Sequence, residues 1–78
     1  MVAIEVYDCW RRAHTIAAIK YVRLLREINL AEAKFLIDEV YFGNRSVRHE
    51  FTAEEEAREF SIQMESFGFC CRNVISTA

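Results

Sequence analysis

Three cysteines (Cys9, Cys70, Cys71), two histidines (His14, His49) and the run Glu54-Glu55-Glu56 are the residues whose types and spacing could do chemistry. A zinc centre needs four well-spaced thiolate, imidazole or carboxylate ligands. Cys70 and Cys71 are adjacent, so on a strand they point to opposite faces and do not readily share one ion. No metal and no cofactor are expected. An odd cysteine count with no secretory leader reads as free thiols. Cys9, beside a loop, is the one expected to react first. Cys9 and His14 make a nominal thiol–imidazole pair, but a nucleophile needs an oriented base inside a cleft. There is no glycine-rich phosphate loop, no His-Glu-x-x-His and no nucleophile elbow. The three glutamates suit the positive end of a helix dipole better than acid–base work. The expectation is a protein that is not an enzyme.

Composition narrows the class further. Seventy-eight residues, 53% hydrophobic and 13% aromatic, describe one small folded domain spanning 1–78. A net charge of −2 with dispersed basic residues offers no field for nucleic acid. No run reaches the ~18 apolar residues of a membrane span, so a cytoplasmic location is expected, without nucleic acid or membrane as partner.

Val2 to Asp8 alternates, with Val2, Ile4 and Val6 on one face and Ala3, Glu5 and Tyr7 on the other, which predicts a half-buried strand. Cys9 to Arg12 turns into a helix over about Ala13 to Ile28. Asn29 is placed to cap a second helix, with Glu32 completing a capping-box pair. That helix presents Leu30, Ala33, Leu36, Ile37 and Val40 inward and stops at Gly43-Asn44, a left-handed cap or turn signal. Arg45 to Phe51 reads as an edge strand. Thr52 and Glu55 predict a second capping box, opening a helix that buries Ala53, Ala57, Phe60, Met64 and Phe67 and closes at Gly68. Phe69 to Ile75 is a last strand of ambiguous phase, with a bulge expected near Arg72. The predicted fold class is α+β: a small β-α-α-β-α-β two-layer sandwich with three helices on one face of an antiparallel sheet.

The first helix is apolar on more than one side. At ~100° per residue, Ala17, Ala18, Tyr21, Val22, Leu24, Leu25 and Ile28 fill a broad arc expected to be core. Ile16, Ile19, Lys20, Arg23, Arg26 and Glu27 gather opposite. Two isoleucines among cations on a solvent side are what a partner-binding helix shows.

The patterns Ile16-x-x-Ile19-Lys20-x-Val22-Arg23 and Leu30-x-Glu32-Ala33-Lys34-x-Leu36-Ile37-Asp38 resemble the C-terminal domain of the bacterial ribosomal stalk protein, which recruits translation GTPases. The likeness runs from about Ile4 to Gly68 and is specific between Ile16 and Asp38. It implies the same sandwich, a bacterial or bacterial-virus source, and a protein partner held by Ile16, Ile19, Lys20, Arg23 and Lys34. Phe35 stands where that family carries a polar residue, and it enlarges the patch. Glu27-Ile28-Asn29 replaces the family's Gly-x-Gly. The first strand begins directly after Met1, so a stand-alone domain, monomeric or weakly dimeric, is expected.

A second resemblance is carried by Glu39-Val40-Tyr41-Phe42-Gly43-Asn44-Arg45-Ser46-Val47 and Phe51-Thr52. These stretches are similar to the Clp protease adaptor that delivers N-degron substrates. It implies a peptide site at Asp8, Val40 and Tyr41, with Asp8 near the ligand's α-amino group.

Overall fold

The computed structural model describes residues 2–43 and 45–75. In chain order these form β1 (Val2–Cys9), α1 (Thr15–Arg26), α2 (Leu30–Tyr41), β2 (Val47–Phe51), α3 (Glu54–Ser66) and β3 (Phe69–Ile75). The sheet has the order β2-β1-β3, and β1 pairs antiparallel with both neighbours. The α+β sandwich expected from the hydrophobic patterns is the fold observed.

Alternation sets the layers. Ile4 and Val6 of β1, His49 and Phe51 of β2 and Phe69 of β3 are buried against the helices. The other face of the sheet is polar: Glu5 lies in register with Arg48 and Arg72 and pairs with Arg72, whose guanidinium also sits 4.9 Å from the Tyr7 ring centroid. Ala3, on that same face, is nonetheless fully buried between Glu50 and Val74 of the flanking strands.

The helix starts are chemically distinct. Asn29 caps α2, its Oδ1 accepting the Glu32 amide at 2.8 Å, as the sequence predicts. The Thr52–Glu55 box does not form, because α3 starts one residue later than a Thr52 cap requires. Ala53 holds the N-cap position without a side-chain bond, and Glu54, Glu55 and Glu56 answer the dipole instead. Helix α1 is shorter than expected at both ends. Glu27 takes the left-handed conformation (φ 53°, ψ 43°) and stops it, in the place where the stalk-like pattern has glycine.

Gly68 closes α3 at φ 98°, and an added Cβ would lie 3.0 Å from the Ala13 Cα, so both backbone and space demand glycine. Gly43 is not left-handed. A Cβ there would meet the Glu39 carbonyl oxygen at 2.8 Å, so close approach explains it. Asn44, the other half of that signal, lies outside the described residues. The expected bulge near Arg72 sits instead on β1. Val6 pairs with Cys71 and Asp8 with Cys70, leaving Tyr7 as the extra residue.

Buried His49 packs with its ring centroid 4.8 Å from that of Phe60. Burial, with the nearby Arg26 charge, lowers its pKa to about 4. The neutral imidazole is therefore the form the fold accepts. A group depressed on folding contributes stability above its unfolded pKa of about 6.5 and loses it as pH falls toward about 4. Between pH 7 and pH 5 the chain should lose about 2 kcal/mol of unfolding free energy from this group. Urea unfolding at both pH values checks this: His49→Leu should flatten the difference, and a wild type equally stable at both contradicts it.

Candidate partner-binding surface

Helix α1 is turned around its axis from the orientation that its apolar arc predicts. Ala18 and Val22 are buried as expected, and Tyr21 and Ile28 pack against the core. Ala17, Leu24 and Leu25 are not core: Ala17 is exposed, Leu24 is 75% exposed and Leu25 41%. Ile19, expected in solvent, is half-buried against the core. Arg26 follows it inward, its Nη1 donating to the Glu50 carbonyl at 3.2 Å while the guanidinium lies 5.9 Å from the Phe51 ring centroid.

The cause is tertiary. Helix α1 packs mainly on α2, while Tyr21 reaches Phe60 and Phe67 at centroid distances of 6.1 and 5.7 Å. The residues before α1 are tied to the end of α3, the Trp10 amide donating to the Gly68 carbonyl at 2.8 Å and His14 to Phe67 at 2.7 Å. These anchors decide which of several apolar sides goes inward.

On the solvent side of α1, Ile16 (70% exposed), Lys20 and Leu24 follow at four-residue spacing, with Arg23 alongside. Of the six predicted partner-binding residues, Ile16, Lys20, Arg23, Lys34 and Phe35 are exposed, and Ile19 lies beneath them. Leu24, which the apolar arc predicts to be core, instead extends this stripe. The Lys34 ammonium donates to Asp38 Oδ2 at 2.6 Å along α2. Phe35, 61% exposed, stands between two shallow hollows of about 430 and 410 Å³. One is shared with Ile28 and Leu36, the other with Asp38, Glu39, Phe42 and Arg45. Leu30, predicted to face inward, is exposed at the start of α2.

The alternative peptide site is brought together in part. Asp8 and Tyr41 line one cleft of about 270 Å³ with Cys9, Trp10 and Arg11. Tyr41 donates its hydroxyl to the Arg11 carbonyl at 3.2 Å, and Asp8 accepts the Cys9 amide at 2.8 Å. Val40 is buried in the core and cannot meet a ligand there, because it lies on the inward side of α2 with Ala33 and Ile37.

Thiol chemistry is disfavoured. Burial, then Asp8, raises the pKa of Cys9, and burial pushes Cys71 up to about 12. Cys70 is raised as well, first by burial and then by Asp8. All three cysteines are half-buried free thiols. Among the described residues no three His, Cys, Asp or Glu side chains converge on a metal position. No helix among them is long and apolar enough to cross a membrane. Comparison with known protein families, characterised proteins and solved structures gave no match to this chain.

Proposed function

We propose that this chain is a non-enzymatic protein-binding module that docks its partner on the outer side of α1 and the exposed part of α2. The observation that carries this reading is the pair Ile16 and Leu24, two large apolar side chains held in solvent on either side of Lys20 and next to Arg23. Single exposed apolar residues are ordinary. A periodic stripe that the core does not use, flanked by cations, is what a recognition helix presents. Ile16, Lys20, Arg23 and Lys34 are also positions of stalk-like sequence, so a translation GTPase is the first partner to test. Ile19 would support the surface from below, and Leu24 would take over its contact role.

Burying one such side chain at an interface is worth roughly 1.5–3 kcal/mol before binding costs. Ile16→Ala and Leu24→Ala should each weaken binding to a bacterial elongation-factor GTPase about tenfold, mainly through faster dissociation. Lys20→Glu should slow association and reduce its salt dependence. Titration calorimetry with stopped-flow kinetics measures both. A GTPase bound equally by wild type and Ile16→Ala, or not bound at all, overturns the reading.

The cleft joining Asp8, Tyr41 and exposed Trp10 supports a second reading, a protease adaptor binding N-degron peptides. A peptide with N-terminal Leu or Phe should then shift the amide resonances of Asp8 and Tyr41. Unchanged resonances at millimolar peptide remove this reading.

A further inference from the structure

The exposed stripes of α1 and α2 carry opposite charge. Between Thr15 and Arg26 the exposed charged side chains are the cations Lys20 and Arg23, Arg26 being turned inward over Phe51. Between Leu30 and Tyr41 there are three carboxylates, Glu32, Asp38 and Glu39, against one cation, Lys34. Each stripe also carries large apolar groups: Ile16 and Leu24 on α1, Phe35 and then Phe42 (73% exposed) on and just after α2. Seven residues separate Phe35 from Phe42, which puts them on one side of the helix. Among the described residues Asp38 is paired with exposed Lys34 and Glu39 lies 3.6 Å from exposed Arg45. Pairs of that kind exchange at little cost.

The two helices follow one another through the short turn Glu27–Asn29 and pack together. A two-fold axis along such a hairpin lays α1 of each copy antiparallel on α2 of the other. The Ile16 end then meets Phe42 and the Leu24 end meets Phe35. Lys20 falls within a turn of Asp38, and Arg23 falls beside Glu32 with Lys34 next to it. The same contact is made twice, so the assembly closes at two copies.

We propose that a second copy of this chain covers this face, in a two-fold dimer that packs the apolar–basic stripe of α1 on the apolar–acidic stripe of α2. The dimer goes beyond the partner-binding reading and does not depend on it. Any partner using Ile16 and Leu24 must displace the second copy. Helices about 18 Å long in a face about 20 Å wide cover on the order of 400 Å² per copy, the low end for a specific contact. Association is therefore weak and salt-sensitive.

Sedimentation equilibrium of the wild-type chain at low salt is the test. The average mass should rise from 9.2 kDa toward twice that value as concentration increases from about 10 µM to about 1 mM. Lys20→Glu/Arg23→Glu makes both stripes acidic and should stay monomeric. Asp38→Lys/Glu39→Lys makes both basic and should stay monomeric as well. An equimolar mixture of the two variants should recover the dimer, since each then meets its complement. Should the lysine variant melt early, Asp38→Asn/Glu39→Gln must weaken self-association at least threefold. A wild type that is monomeric throughout, or a mixture no heavier than its components, overturns the dimer. A monomer that still binds a GTPase through Ile16 leaves the partner reading standing. A dimer that binds none overturns that reading alone.

Discussion

The buried ring of Phe60 is the contact on which three elements converge. It projects from α3 and meets Tyr21 of α1 and both His49 and Phe51 of β2, at centroid distances between 4.8 and 6.1 Å. A chain of this length buries a modest core, so one ring of this size holds a large share of the packing. Deleting a buried Phe side chain generally costs about 3–5 kcal/mol, comparable to the whole stability of many small domains. The burial of His49 in this cluster is what keeps its imidazole neutral, and Arg26 turns inward over the neighbouring Phe51 ring.

That constraint also decides which sides of α1 remain outside. With Tyr21 drawn to Phe60 and Phe67, and the N-terminal end of α1 tied to the last turn of α3, Ile16 and Leu24 have no inward partner. The two broad faces of the molecule then differ in kind. The open side of the sheet is covered by charges that satisfy one another, Arg72 with Glu5 and Arg48 with Glu50. The outer side of the helices keeps apolar groups in water. A polar, self-paired face has little to gain from a partner, whereas an apolar stripe edged with charge has much.

Strong local rules were readable in the chain itself. The alternation of β1, the Asn29–Glu32 cap, the buried spacing of Ala57, Phe60 and Met64, and the Gly68 stop each depend on residues close in sequence, and each is present. Helix α1 was not readable in the same way, because apolar residues occupy nearly every side of it. Periodicity then names a helix but not its inward face, and contacts with Phe60, Phe67 and Phe51 distant in sequence make the choice. The bulge at Tyr7 and the unused Thr52 cap have the same origin. Pairing with β3 and the docking of α3 fix positions that no nearby residue specifies. For the candidate surface, periodicity points to Ile16, Lys20 and Arg23 on α1 and the stalk-like pattern to Lys34 and Phe35 on α2, all of them exposed, while Leu24 is hidden by its likeness to a core residue.

The central claim is that the outer stripe of α1 is free of the fold. Thermal unfolding of Leu24→Asp beside Val22→Ala tests it most directly, since the two positions lie on opposite sides of one helix. Leu24→Asp should melt within a few degrees of wild type, whereas Val22→Ala, which empties a fully buried site, should lower the midpoint by roughly 8–15 °C. Equal and early melting of both variants would mean that Leu24 belongs to the core and that the stripe is not a docking surface.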